Sequence, residues 1–406
     1  MISCEEARRL MLERARPLPA TPTPLRKALG MTLAADIVPR DDQPPFDNSA
    51  MDGYAVRAAD VASASPESPA RLDVIETIPA GSWPQRIVAA GQAAKIMTGA
   101  PVPQGADAVV RVEDTTGDGG AVQIRHAPKA GENIRRRGED LRRGEPALAA
   151  GQTLTPGRIG LCAAAGWADV PAHRRPIVGV VVTGEELVEP GEPLAPGKIR
   201  NANSYALHAQ ILEAGGEPRH YGIAPDERGA TAALLRRALA ECDIVLTSGG
   251  VSVGDFDVVE DALRDAGGEI FFTKVAQRPG APLVGGVGGE ALFFGLPGNP
   301  VSVMVCFENY VRPVIRRMLG RRNLDRPRVV GRFTEPFRKP AGLTFWARVV
   351  MQRGPDGVAL TPSAPQGSGV LRSMAYGVGL AELPPHVTIA WPNDDVVVRV
   401  FADDDD

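Results

Sequence analysis

The spacing of apolar and polar positions changes character several times along the chain. Ser3-Cys-Glu-Glu6 is a capping-box pattern, with a hydroxyl that can accept from the backbone and a glutamate three residues on. It predicts an amphipathic helix from there to about Arg16. Residues 17–45 are punctuated by proline. From 46 to about 140, short alternating runs such as Arg71-Leu-Asp-Val-Ile-Glu-Thr-Ile78 are separated by Gly and Pro turns, which reads as a β-rich module. A short helix is expected near 157–165, inside a connector spanning 142–175.

At Ile177-Val-Gly-Val-Val-Val182 the pattern becomes a continuous apolar run, suited to a strand buried on both faces. Strands are then expected at 219–223, 243–247, 270–275 and 291–295. Between and after them helices are expected at 203–213, 226–241, 257–266 and from 300 to about 319. The first of these helices is expected to be capped by Asn203-Ser204 and closed by Gly215-Gly216. Such alternation predicts a mostly parallel sheet covered on both sides. Short strands return at 329–333, 345–351, 358–361 and 396–401. The expected fold class is therefore multidomain α/β plus β, a central α/β sandwich with β-rich inserted and C-terminal domains. The expected units are 1–45 with 142–175 as a linking domain, then 46–141, 176–322 and 323–406.

Composition narrows the function. The 406 residues fit about two to four domains. With 45 Lys and Arg against 49 Asp and Glu, the net charge of −4 gives no field to attract nucleic acid. No apolar run approaches the length of a membrane span, and acids near the start take the place of a secretion signal. Cys4, Cys162, Cys242 and Cys306 are scattered, which suits a reducing cytoplasm and neither a disulfide framework nor a zinc site. The five histidines show no HxH or HExxH spacing, so a metal ion is expected to take oxygen ligands, as Mg²⁺ does.

Three strand ends carry loops that chemistry would need. They are Thr183-Gly-Glu-Glu-Leu187, Ser248-Gly-Gly-Val-Ser-Val-Gly-Asp-Phe-Asp257 and Gly295-Leu-Pro-Gly-Asn-Pro300. In an open parallel sheet, ligands bind outside the carboxyl ends of the strands. Glycines let backbone N–H groups turn toward an anion, and Ser248 and Ser252 add hydroxyl donors. The loops match neither a GxGxxG fingerprint nor a Walker A sequence. Glu185, Glu186, Asp226, Asp255 and Asp257 also fall at strand-to-helix junctions. Acids beside a phosphate cradle repel the ligand unless a cation intervenes, so Mg²⁺ is the natural bridge. Capping alone accounts equally well for Asp226 and Asp257. Outside this sheet, a stiff polar loop spans Pro44–Ala55, and residues 133–143 set five arginines around Glu139 and Asp140. An arginine cluster of that kind is either a solvated face or a grip on phosphate.

These segments resemble a known family. Phe46-Asp-Asn-Ser-Ala-Met-Asp-Gly-Tyr-Ala55, Met97-Thr-Gly-Ala-Pro-Val-Pro103, Asn133-Ile-Arg-Arg-Arg-Gly-Glu-Asp140, Ser248-Gly-Gly-Val-Ser-Val-Gly254 and Leu296-Pro-Gly-Asn-Pro-Val-Ser302 are similar, in order, to the molybdopterin molybdenumtransferases, the MoeA type related to the gephyrin E domain. The resemblance implies a molybdopterin-binding α/β domain in an elongated homodimer of four-domain subunits, with the active cleft between that domain of one subunit and the β module containing Asp52 of the other. It implies that adenylylated molybdopterin and molybdate are converted, with Mg²⁺, to molybdenum cofactor and AMP. Contact with the molybdopterin adenylyltransferase and with acceptor molybdoenzymes follows from the same likeness.

By the resemblance, Asp52, Thr98, Glu186, Asp226 and Asp257 are the active-cleft residues, and Glu186, Asp226 and Asp257 are the Mg²⁺ ligands. Arg135 and Asp140 match an arginine loop, and Pro297 and Pro300 a proline loop. Ser248, Gly249, Gly250, Ser252 and Gly254 are assigned to the nucleotide phosphates. Lys274, Arg278, Ser302, Arg348 and Ser368 are assigned to molybdate. The chain departs from the family's Lys-Pro-Gly-Lys-Pro pattern with Arg278-Pro-Gly-Ala-Pro282, and Ala347 stands where the family places an arginine, with Arg348 one position later. Two other readings stay open on the sequence: a non-catalytic scaffold that keeps the pterin-binding fold, and a paralogue that handles tungstate.

Overall fold

The computed structural model describes residues 1–117, 119–224, 227–250 and 259–401. The expected capping residue starts the first helix, Cys4–Arg14, where Ser3 Oγ accepts from the Glu6 N–H at 3.0 Å. The Glu6 carboxylate does not turn back to complete the box; it takes the Arg9 guanidinium one turn on. Ala7 and Met11 of this helix join the core of the central sheet, so the helix belongs with that unit and not with the linking residues that follow it.

The linking body forms from two separated stretches. Strand Ala20–Pro24 pairs with Asp169–His173, and bridges Thr32–Thr153 and Ile37–Leu148 tie the rest. Leu33, Ile37, Leu148, Cys162 and Val170 fill its core. The inserted unit between these stretches is a six-stranded sheet with its own apolar cluster around Val56, Leu72, Val110 and Ile124.

The central sheet has strands β1 (Ile177–Thr183), β2 (Glu217–Ala224), β3 (Ile244–Ser248), β4 (Glu269–Lys274), β5 (Pro282–Gly288) and β6 (Ala291–Leu296). Their order is β2-β1-β3-β6-β5-β4. β2, β1, β3 and β6 run parallel; β5 runs against both β6 and β4. The period of two within the apolar runs divides the core. Val178, Val180, Val182, Leu246 and Phe294 face helices Cys4–Arg14, Asn203–Ala214 and residues 300–318. Val181, Val245 and Phe293 face helices Arg228–Glu241 and Val259–Asp265. Each such side chain contributes about 1.5–3 kcal/mol by leaving water, which is why every position in the run is apolar.

β5 was not expected: Pro282-Leu-Val-Gly-Gly-Val-Gly288 falls between the strands expected at 270–275 and 291–295, and its three glycines weaken any strand pattern. Its glycines are there for close approach: a Cβ at Gly285 would stand 2.3 Å from the Phe272 ring of β4. The long helix expected from residue 300 is continuous but changes pitch, with Pro300–Cys306 and Arg312–Met318 flanking a π-helical segment, Phe307–Val311. The C-terminal unit is a six-stranded sheet that includes Thr344–Gly354, Gly379–Leu383 and Val396–Val400. It is joined to the centre in two ways. Strand Gln277–Arg278 adds to its edge beside Thr344, and Val301 and Val305 pack on Trp346 and Leu380. Among the described residues no helix is long and apolar enough to cross a membrane.

Candidate active site

Registers in the parallel ladder decide where the glycine loops begin. Val182 lies opposite Ser248, and Ser248 opposite Leu296, so β1, β3 and β6 end on one rim. The chain that leaves each strand enters one cavity of about 670 Å³. Its walls include Thr183, Gly184 and Glu186 from the first loop, Gly249 and Gly250 from the second, and Pro297, Gly298, Asn299 and Ser302 from the third. Arg278–Pro282, and Gln366 and Ser368 from the C-terminal unit, close the far side.

The glycines are required by contact. Gly249 and Gly250 have φ of +97° and +64°. A Cβ at Gly249 would come within 2.7 Å of the Thr183 carbonyl, and one at Gly250 within 2.8 Å of Val259. Only glycine takes those conformations at that separation without strain. The Gly249 N–H donates to the Leu296 carbonyl at 3.1 Å, while the Gly250 N–H has no acceptor among the described residues and lies open to an anion. Glu186 and Arg278 are the only charged side chains on the wall among the described residues, and both are exposed. Neither side chain has a hydrogen-bond or ion-pair partner among those residues, so both are available to a ligand. Thr183 Oγ1 is buried against the glycine loop with no partner among the described residues.

Not every expected residue reaches this wall. Ser248 is buried, its Oγ accepting from Asn203 Nδ2 at 2.8 Å and directed at the Pro297 carbonyl at 3.5 Å. It ties two loops together and leaves no hydroxyl for a ligand. Asn203 was expected to cap its helix, yet its amide also donates to the Gly298 carbonyl at 2.7 Å, and Asn201 accepts from the Ser204 N–H instead. Pro300 opens the helix after the third loop without lining the cavity. Lys274 is exposed at the end of edge strand β4, opposite Pro282 of the wall, and does not itself line the cavity.

Arg348 is likewise off the wall. It is fully buried, donating to the carbonyls of Trp346 and Gly367 at 3.0 and 3.3 Å and to Ser373 Oγ at 3.2 Å. Burial lowers its pKa to about 10, which leaves it charged at neutral pH. Its guanidinium holds the Gly367 carbonyl, and its backbone N–H and carbonyl bond the Gln366 amide at 2.8 and 3.1 Å, so it braces the segment that presents Gln366 and Ser368. Asp226, Ser252, Gly254, Asp255 and Asp257 lie outside the described residues.

Asp52, Thr98, Arg135 and Asp140 sit in the inserted unit, and none of them lines the cavity. Asp52 Oδ1 accepts from the Thr98 N–H at 2.7 Å and its hydroxyl at 2.8 Å. Those two donors, the N–H first, hold the Asp52 carboxyl below the ordinary carboxylate range. In the arginine loop, Glu139 accepts only from a backbone N–H, that of Arg136, at 2.7 Å. The Arg136 and Arg137 guanidinium groups pair with Asp47 and Asp42, both from outside the loop and both at 2.6 Å. Arg135 and Asp140 are exposed.

Sequence reasoning missed Thr183, Gln277, Asn299 and Gln366 on the wall. Thr183, at the head of the first loop, and Asn299, inside the proline loop, carried a signal; Gln277 lies just past the strand expected at 270–275 and carried none.

Known proteins share this arrangement. Residues 2–166 match the MoeA N-terminal region (domain I and II), 179–317 a probable molybdopterin binding domain, and 330–401 the MoeA C-terminal region (domain IV). The chain is 40% identical over 393 residues to molybdopterin molybdenumtransferase 2 of Mycobacterium tuberculosis, covering 95% of this chain and 96% of that one. It is 38% identical over 364 residues to the molybdopterin molybdenumtransferase of Bacillus subtilis, covering 89% and 85%. A solved molybdopterin biosynthesis MoeA protein of Pyrococcus horikoshii superimposes with a TM-score of 0.84 at 33% identity, over 99% of this chain and 100% of that one.

Proposed function

The chain belongs to the molybdopterin molybdenumtransferase family, transferases that insert molybdenum during molybdenum cofactor biosynthesis, and from that premise we propose how its cavity handles the two substrates. Adenylylated molybdopterin lies with its phosphates along Gly249 and Gly250, and molybdate lies at the Arg278 end. The products are molybdenum cofactor and AMP. The observation that carries this reading is the meeting of three strand-end loops around one cavity whose only charged side chains among the described residues are one acid, Glu186, and one guanidinium, Arg278.

Each end suits its ligand by charge and shape. Gly249 and Gly250 present no side chain, which suits a phosphate that must approach backbone closely, and the Gly250 N–H is the donor left for it among the described residues. A tetrahedral dianion calls for a cation and neutral donors, which Arg278, Ser302 and Ser368 provide. Ala281 adds no charge where the family pattern has lysine, so Arg278 carries the electrostatic load there alone.

Mg²⁺ suits the rim. The Glu186 carboxylate and the unpartnered Thr183 hydroxyl are hard oxygen donors of the kind it prefers. Among the described residues no three His, Cys, Asp or Glu side chains converge on a metal position, so Asp226 and Asp257 are the proposed remaining ligands. When bound, the ion offsets the charge of the pyrophosphate linkage.

Asp52, held in one orientation by Thr98, is proposed to close the cavity of a second subunit in a homodimer. In support, its Oδ2 has no partner among the described residues and the cavity of its own chain contains nothing from residues 46–141.

The test is direct. Protein supplied with adenylylated molybdopterin, Mg²⁺ and molybdate should yield AMP and active cofactor, and AMP release should depend on molybdate. Protein that binds the nucleotide yet releases no AMP would be a scaffold, and the proposal would fail. Equal turnover with tungstate would assign the oxyanion differently.

A further inference from the structure

Behind the Arg278 side of the cavity, one buried amide joins three parts of the chain. Gln277 is fully buried. Its Oε1 accepts from the Tyr310 hydroxyl at 2.8 Å and from the Trp346 indole N–H at 3.1 Å. Its Nε2 donates to the Gly280 carbonyl at 2.8 Å and lies 3.3 Å from Cys306 Sγ. Tyr310 belongs to the π-helical segment, Trp346 to the C-terminal sheet, and Gly280 to the turn that carries Arg278. The amide's acceptor sites and donors are thus all engaged.

The turn itself has little slack. Gly280 has φ +88°, and a Cβ there would stand 2.5 Å from Cys306 Sγ. Arg278 pairs through its backbone with Phe345 of the C-terminal sheet. An apolar side chain of similar length would fill the same space, but it would leave the Gly280 carbonyl only the weak Cys306 thiol at 3.6 Å and would remove the Gln277 acceptor of the Tyr310 hydroxyl and the Trp346 indole N–H. Nothing in the substrate chemistry needs an amide at a position with no exposed surface. The geometry of the turn does.

We propose that Gln277 is a positioning residue for the oxyanion: its amide sets the height of the Arg278–Gly280 turn and so the reach of the Arg278 guanidinium into the cavity. The inference rests on the reading that molybdate binds at Arg278. It gives the C-terminal unit a part in substrate binding through Trp346, without any contact of Trp346 with the substrate.

Gln277→Glu supplies the sharp test. A protonated carboxyl can donate to the Gly280 carbonyl as Nε2 does, whereas an ionised one presents only lone pairs to it. Burial favours the neutral form, so the two states are separated by raising pH. Of the other titratable groups packed here, Cys4, Cys306 and Tyr310 are pushed upward by burial, and the Arg399 guanidinium stands 4.5 Å over the Trp346 ring with Glu382 as its partner at 3.3 Å, a charge pair common to the unaltered protein and the variant. Molybdate KM, relative to the unaltered protein at each pH, should rise about tenfold as pH increases, the equivalent of one hydrogen bond, with kcat changing less.

Tyr310→Phe, which keeps the ring and removes one donor, should raise KM by about threefold at all pH values. Arg278→Ala, as the reference, should raise it most. A flat KM ratio near one in both Gln277→Glu and Tyr310→Phe, with only the melting temperature lowered, would overturn the proposal. If Gln277→Glu does not fold, Tyr310→Phe decides by the same criterion. An unchanged KM in Arg278→Ala overturns the oxyanion reading beneath it; a raised one there beside unchanged values in the other two overturns this proposal alone.

Discussion

Gly249 shows how much a single residue constrains this site. Alanine there meets two obstacles at once, a left-handed φ and a carbonyl 2.7 Å from the new Cβ. Strain of that kind costs about 1–3 kcal/mol, so Gly249→Ala should lower the melting temperature and reduce turnover together. Asp52 and Thr98 give a cleaner reading, because the pair is exposed. Thr98→Val removes the hydroxyl donor and keeps the N–H, so the Asp52 carboxyl should move part of the way up toward the ordinary range in an NMR titration. A carboxyl lowered by folding stabilises above its unfolded pKa, and that contribution disappears as pH falls through the folded value. The stability difference between Thr98→Val and the unaltered chain should therefore be largest near neutral pH and shrink in acid. At this scale the sequence was readable where backbone shape dictates the residue, as at Gly249 and Gly250. It misled where a polar side chain had several possible partners. Ser248 and Asn203 look like a ligand donor and a helix cap; in the fold they bond to each other, a contact between residues 45 apart.

Among elements, the legible ones bury a continuous apolar face. The β1 run could only be a doubly covered strand, and the Ser3 cap fixed the start of the first helix. β5 was hidden because its glycines answer to Phe272 on a neighbouring strand, which local propensity does not register. The helix from residue 300 was visible as one object, but the reason for its π-helical segment was not. That segment carries Glu308, almost fully buried, which receives Arg326 through two hydrogen bonds of 2.9 and 3.0 Å and lies 3.7 Å from Arg312. Arg326 also reaches Glu213 and the Phe401 carbonyl, so one carboxylate organises the junction between the central helices and the chain's last described residues. Removing one partner of such a pair leaves a buried charge uncompensated and typically costs about 3–5 kcal/mol. Glu308→Ala should lose stability of that order in urea unfolding, whereas Glu6→Ala, on an exposed pair, should lose little.

At the scale of the whole molecule, the resemblance implies a cleft shared between two subunits, and the single chain is arranged as that requires: its expected cleft residues do not line one cavity. Glu186 and Arg278 line the cavity; Asp52 and Thr98 lie on the inserted unit and contribute nothing to that wall. No reading of strands and helices from the sequence could have revealed this separation, since it depends on how the linking residues set one unit against another. If two chains combine to make each cleft, each dimer has two clefts, and each takes Asp52 from one chain and Glu186 from the other. Asp52→Ala and Glu186→Ala should each be inactive alone, both being exposed side chains whose loss leaves the cores untouched. Co-expressed and paired at random, half the dimers would be mixed. In each mixed dimer one cleft would carry both defects and the other neither. Roughly a quarter of the unaltered activity should therefore return, the value set by twofold symmetry. Clefts confined to single chains would return none, and the measurement of activity against the ratio of the two variants would separate the cases.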